Sequence, residues 1–489
     1  MIARKNIPTP LLIAATLAIL ALIAAAFAVF APGDALRVTT ALVLAGAVPM
    51  AIYSRSRCAS AGGMWVLMVL WGFMAMVSVM QLRAWCLEPT FSFDCPNLKS
   101  DASNYYNWAI HHHDGRGPEP RGLVFKGFPL LMALLFRLLG PSVLWPLAMN
   151  MMFTLLAVVV GGLTCRRLLH PVVEYKGTFT CTLAMALTGT LMFYVSQGLA
   201  IQKEASIYLG MALTTYVLAG MAKQADDRPR LTLRDALLFA LGCVIMGFVR
   251  TTFLYCTFVG IGMMTMARPR LLWRKGGLLM AIALAAFAVG NMHALYSVEQ
   301  HIVIMEGSGA MSRTFLTGHG PSAPYTKILG PYYSYSVTHR LALLPFIMSV
   351  QFFIPFPWTY NNFDFLNLYL RMAWGWYAIG GMALFYYLFL SWRHRVWLGM
   401  WPWVPVVLFS GIAYIIGGSV NRYVLPIEPM FVPVAVYVIC LLRQGVFRKP
   451  FIAWAVFFVI LVITTLVVCR HIQLDFFESL NAYYRSLMP

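Results

Sequence analysis

Residues 100–129, SDASNYYNWAIHHHDGRGPEPRGLVFKGFP, form the longest polar interval in the first half of an otherwise apolar chain. Asp101, Tyr105, Trp108 and His112 recur at i, i+4, i+7 and i+11, the spacing that lines one face of a helix. Ala102, Tyr106, Ala109, Ile110 and His113 fall on its other sides. Ser100 is suited to cap this helix, and Asp101 in its first turn is favoured by the positive end of the macrodipole. Gly115 and Gly117 break the helix, Pro118 and Pro120 keep it broken, and Pro129 opens the next apolar run. A carboxylate held on a short helix beside a membrane is the first place to expect chemistry.

Outward from that stretch the chain is apolar: 60% hydrophobic residues, 11% charged, and a mean hydropathy of +0.74. That composition is expected of an all-α, polytopic transmembrane protein and not of a soluble domain of this size. The net charge of +19 is spread in small basic groups between apolar runs. The positive-inside rule requires such a pattern, and a nucleic-acid surface would instead need one continuous patch. Nucleic acid is therefore excluded as a partner. The apolar run after Lys5 is too long for a signal-peptide core and is read as a span.

About thirteen membrane segments can be drawn. Spans near 11–31, 38–54 and 63–82, with Arg4, Lys5, Arg55 and Arg57 inside, place an 83–128 loop outside. A span near 142–164 returns to Arg166 and Arg167, and spans near 177–195 and 205–222 are joined outside by Ser196–Glu204. Residues 235–267 are basic at both flanks but number only 33, where two full spans need about 40. They are expected to form a tight hairpin of short helices with Arg250 at its tip. A span near 277–297 precedes a second outer loop, 298–342. Residues 341–357, with three prolines, suit an interfacial or broken helix, and further spans follow near 370–391, 397–416, 429–442 and 451–469. Most carboxylates then lie on the outer face. Of the nine cysteines, Cys86 and Cys95 fall in the first outer loop, as a disulfide in an oxidising compartment or as free thiols.

Four groups carry candidate chemistry. Asp101, with Asp94 as its neighbour and rival and Asp114 as a weaker one, can hold or deprotonate a hydroxyl. Lys203 and Glu204, beside Gln202, sit in a short outer connection, a costly place for charge that is neither used nor paired. Lys203 suits a phosphate as a point charge, and a snorkelling Lys203–Glu204 pair is the structural alternative. Arg250 suits phosphate oxygens bidentately, or a structural carbonyl or carboxylate. Arg422, followed by Tyr423, would lie on the same outer side. His111, His112 and His113 point in different directions around a helix and cannot converge on one ion, so a divalent metal is not indicated.

Asp101…Tyr105…Ala109…Gly115-Arg116-Gly117, then Lys126 and Phe128-Pro129 entering a helix, resemble the first outer loop of the GT-C integral-membrane glycosyltransferases. Lys203-Glu204 after a span, Arg250 in its hairpin and Arg422-Tyr423-Val424-Leu425-Pro426 near the end extend the resemblance from about residue 63 onward. It is nearest to bacterial relatives of protein O-mannosyltransferases and to the lipid A aminoarabinose transferase. The resemblance implies a polyprenyl-phosphate-linked sugar donor and a lipid, glycan or protein acceptor. It also implies a bacterial inner membrane, with transfer on the periplasmic side. Asp101 would be the catalytic acid, Asp94 its alternate, and Lys203, Arg250 and Arg422 the lipid-phosphate contacts, with Tyr105, Lys126, Glu204 and Tyr423 beside them.

Two features depart from that pattern. The acid-bearing loop follows the third span rather than the first, which makes residues 1–60 an added helix pair ahead of a 61–489 transferase domain. Ala102 stands where a second adjacent acid is usual, which leaves metal dependence open. A repeat-unit polymerase handling polyprenyl-linked sugars shares most of these features. A transporter of such lipids would instead call for inverted repeats and charges deep within several spans.

Overall fold

The computed structural model describes residues 9–30, 33–94, 96, 98, 100–116, 127–169, 177–189, 198–222, 231–291, 338, 341–342, 344, 383–393, 398–416, 427–446, 448–460, 463–464 and 467. Among them every named element is a helix. The first unit, Met1–His293 with Leu398–Trp401, holds α1 (Thr9–Phe30), α2 (Ala35–Ser54), α3 (Ala61–Cys86), α4 (Ser100–His113), α5 (Gly127–Leu139) and α6 (Leu144–Leu169). It continues with α7 (Gly177–Gly189), α8 (Glu204–Met221), α9 (Leu233–Arg250), α10 (Thr252–Ala267) and α11 (Pro269–Asn291). Ala35–Ser54, Ala61–Cys86, Leu144–Leu169 and Pro269–Gly290 are long and apolar enough to cross a membrane, and several apolar helices are shorter. This is the make-up of a helical membrane protein.

Small residues let the helices approach. A side chain at Gly242 of α9 would meet the Gly210 carbonyl of α8, and one at Gly210 would meet Met246. Without water-driven burial between spans, such close crossings supply the packing. Trp71 of α3 lies in the notch left by Gly46 of α2 and donates from Nε1 to the Leu42 carbonyl at 2.8 Å.

Contacts at the helix ends fix their directions. Asn150, near the start of α6, bonds to the turn that opens α8, while Arg167, near the end of α6, lies 4.5 Å from the ring of Tyr216 in the second half of α8. The two helices therefore run parallel, and α7 lies between them in sequence. Arg167 also makes a bidentate pair with Asp235 in the first turn of α9, at 2.7 and 3.1 Å. Thr232 caps α9 in a capping box with the same Asp235. The far end of α9 meets α5, where a side chain at Gly127 would collide with the Phe248 carbonyl. So α9 runs antiparallel to α6 and α8, and α4, α5, the start of α8 and Arg250 share one end of the unit.

The region 235–267 is two short helices, α9 and α10, of 18 and 16 residues, meeting at Thr251. No span is expected between 129 and 141, yet α5 fills most of that interval. Its Phe128, Met132, Ala133 and Phe136 are buried, while Leu130, Leu134, Leu138 and Leu139 are exposed. That two-sided apolar helix of 13 residues is too short to span (about 20 residues are needed) and long enough to lie against a neighbour. Cys86 ends α3 as a free thiol, and Cys95 lies outside the described residues.

The second unit, Ala294–Trp397 with Pro402–Pro489, contains α12 (Trp403–Ile416), α13 (Glu428–Arg443) and helical stretches at 383–393 and 448–460. Aromatic side chains join them. Tyr387 meets Tyr437 at 5.7 Å, Tyr386 meets Phe451 at 5.1 Å, and Phe389 stacks on Trp454 at 6.3 Å.

Candidate functional site

The site begins with how α4 is seated. Its buried stripe runs through Tyr105, Tyr106 and Ala109, at 6%, 2% and 0% exposure. This corrects the expected grouping, in which Tyr106 and Ala109 stand apart from Tyr105: the docking face is set by α5, which covers the sector between them. Tyr106 packs on Phe136 at 5.3 Å and donates from its hydroxyl to the Asp94 carbonyl at 3.0 Å. Arg137 of α5 donates to the His112 carbonyl at 3.1 Å, and the amide of Val143 donates to the Phe93 carbonyl at 2.8 Å. The loop before α4, the helix and α5 thus form one body.

Tyr105 is the inner contact of that body. Its ring meets Phe128 edge-on at 5.5 Å and Trp108 at 6.3 Å, and the Lys203 ammonium lies 5.5 Å from its centroid. A cation at that range over an aromatic face is stabilised by the ring quadrupole. Lys203 is 4% exposed and Glu204 is 3% exposed. Both side chains are folded inward, Lys203 against the Tyr105 ring of α4. Glu204 takes the first position of α8, where the macrodipole favours a carboxylate.

The turn carrying Lys203 is held by an asparagine in an apolar helix. Asn150 of α6 is fully buried and donates to the carbonyls of Ala200 and Gln202, at 2.6 and 2.7 Å. Its own carbonyl accepts from Thr154 at 2.9 Å. The Asn150 amide oxygen and the Ser206 hydroxyl are buried without a hydrogen-bond partner. Asn150 is missed by a reading that looks for charge, although an amide inside an apolar span carries the same signal in weaker form.

Arg250 closes α9, with its guanidinium 5.8 Å from the Phe253 ring. The α5 start links it to the rest: Gly127 rests on Phe248, two residues before Arg250, and the next residue, Phe128, supports Tyr105. Lys203, Tyr105 and the α9 terminus are therefore gathered around one short segment. Asp101 occupies the first turn of α4, with its side chain outside those described, at a register position shared with Tyr105 and Trp108. Asp94 presents its carbonyl to Tyr106, and its side chain is exposed. Lys126, Arg422 and Tyr423 lie outside the described residues.

No protein family, curated protein or solved structure matches this chain.

The histidines separate as their neighbours dictate. His113 shares a hydrogen bond with Asp114 at 3.0 Å, and that imidazole, followed by the Arg116 guanidinium, holds the Asp114 carboxyl below its usual range. Among the described residues no group of three or more His, Cys, Asp or Glu has metal-holding geometry. The arrangement offers a buried cation on an aromatic floor, a second cation at the neighbouring helix end, and a carboxylate at the start of the overlying helix.

Proposed function

We propose that the chain is a membrane glycosyltransferase of the GT-C type, built on about thirteen membrane segments. It moves a sugar from a polyprenyl-phosphate carrier to a lipid, glycan or protein acceptor at the periplasmic face of a bacterial inner membrane. The observation that carries this reading is the burial of Lys203 beneath Tyr105 on the helix that bears Asp101. A lysine ammonium serves a phosphate as a compact point charge, and its place under the Asp101-bearing helix puts that charge near the proposed acid.

In this mechanism Asp101 orients or deprotonates the acceptor hydroxyl, whose oxygen attacks the anomeric carbon. The bond from that carbon to the phosphate oxygen breaks, and polyprenyl phosphate leaves with the electron pair. Lys203 and Arg250 stabilise the departing phosphate. Tyr105 and Glu204 shape its surroundings, and a single displacement inverts the configuration. Asp94 is the alternate acid. The pair α1–α2 is an addition ahead of the transferase domain.

Purified protein in lipid nanodiscs, supplied with synthetic polyprenyl-phosphate sugars, tests the reading through release of free polyprenyl phosphate. Release that requires an acceptor and collapses in Asp101→Asn supports it. Acceptor-independent release, or tight donor binding with no turnover, overturns it in favour of hydrolysis or transport.

A further inference from the structure

The face of α4 that points away from Tyr106 and Ala109 is not bare. Asn104, Asn107, Trp108, Ile110, His111, Asp114 and Arg116 line a cavity of about 290 Å³. That lies at the lower end of small-ligand clefts, about 300 Å³. Half-buried Trp108 contributes an indole and Ile110 an alkyl group, and the other five give planar amide, imidazole, carboxylate and guanidinium groups. Asn107 uses one amide hydrogen on Ser103 at 3.4 Å. Asp114 is fixed between His113, at 3.0 Å, and Arg116, at 3.6 Å.

This combination selects among ligand classes. An anion is disfavoured, because the ionised Asp114 answers Arg116 within the same wall. A purely apolar ligand is disfavoured by five polar side chains against the two apolar ones, Trp108 and Ile110. A pyranose fits both parts: its C–H face packs on an aromatic ring, and each hydroxyl needs one donor and one acceptor. Asparagine amides and an imidazole present both kinds of group side by side. Every one of these residues is on α4 or within three positions of its end, so the groove is preset by the seating of that helix on α5.

We propose that this groove binds a saccharide, separately from the Lys203–Tyr105 centre. Resting on the transferase reading, it would hold the glycan portion of the acceptor beside the helix that bears Asp101, which favours a glycan over a protein acceptor.

The test uses the full-length protein in nanodiscs with no donor present. Free hexasaccharides of glucose, mannose, galactose and N-acetylglucosamine are titrated, with binding read by saturation-transfer NMR and thermophoresis. At least one should bind, and Trp108→Ala and Asn107→Ala should each weaken it by about tenfold. Asn107 is exposed, so its truncation leaves the fold intact even if Trp108→Ala does not. Absence of binding across the panel, or affinities unchanged in Asn107→Ala, would overturn the proposal. Adding a polyprenyl-phosphate sugar separates the two sources of saccharide. Persistence of the hexasaccharide assigns the groove to an acceptor glycan, whereas competitive displacement assigns it to the donor's sugar and overturns the acceptor placement. Because no transfer is measured here, failure of the polyprenyl phosphate release assay would sink the transferase reading and leave saccharide binding by the groove standing.

Discussion

The Lys203 ammonium sits 5.5 Å from the centre of the Tyr105 ring, joining the turn before α8 to the underside of α4. Lys203→Met keeps the aliphatic stem and removes the charge. Polyprenyl phosphate release should fall about 10²-fold or more, as for loss of one charge-stabilising donor. Tyr105→Phe keeps the aromatic face and should retain activity, while Tyr105→Leu should not. Equal activity in the Phe and Leu variants would show that the ring is only a packing element.

Asn150 presents two amide hydrogens to two backbone carbonyls inside the unit. Asn150→Leu takes the donor from both part-buried carbonyls, at a cost of about 1–3 kcal/mol. Thermal unfolding in nanodiscs should register that loss. The Michaelis constant for the donor should rise more than the turnover number falls, since the turn carrying Lys203 loosens while the reacting groups remain.

Arg167 and Asp235 form a bidentate pair whose side chains are 17% and 8% exposed. Asp235→Ala strands a largely buried guanidinium and removes the carboxylate half of the α9 capping box, so destabilisation of about 3–5 kcal/mol is expected. The double variant Arg167→Met/Asp235→Leu should recover much of it. Chemical denaturation of the three variants measures the coupling, and simple additivity would mean that the pair is not coupled.

Gly127 lies against the Phe248 carbonyl with no room for a Cβ. Gly127→Ala should push α5 from α9 and shift Phe128 relative to Tyr105. Activity should fall sharply, while Leu130→Ala, on the exposed side of the same helix, should have little effect. Release assays on both variants make the comparison.

Arg166 donates to the Cys58 sulfur at 2.7 Å in the turn between α2 and α3. A hydrogen bond from Cys181 first, and Arg166 after it, pull the Cys58 thiol below its ordinary 9.0. A lowered thiol stabilises the fold above its unfolded value, and this contribution fades as pH falls through the folded value. The stability gap between the wild type and Arg166→Ala should therefore widen from about pH 6 to pH 9. Thermal scans across that range follow it, and alkylation of Cys58 should move to higher pH in the variant.

The α4 helix was legible because its polar residues recur at helical spacing and because glycines and prolines cut it off sharply. Lys203 and Arg250 stood out for a different reason: charge beside apolar runs is conspicuous in a chain with so little of it. The face on which α4 docks was not legible, since Tyr105, Tyr106 and Ala109 share a stripe only once α5 is placed against them. The start of α5 was legible at Phe128-Pro129, but not that its 13 residues form a separate helix packed on α4 and α9, because a run too short to span gives no sign of what it lies against. Asn150 was hidden because one neutral amide barely alters the hydropathy of its surroundings. The groove on α4 needed both facts together, the helix and the direction in which it is turned.

Several anchors around the site grip the main chain rather than side chains. Tyr106 holds the carbonyl of Asp94, Arg137 that of His112, and Asn150 those of Ala200 and Gln202. A carbonyl is present whatever residue carries it. Substitutions at 94, 200 and 202 can therefore accumulate without removing these anchors, which lets descendants of this chain vary those side chains while inheriting the same scaffold.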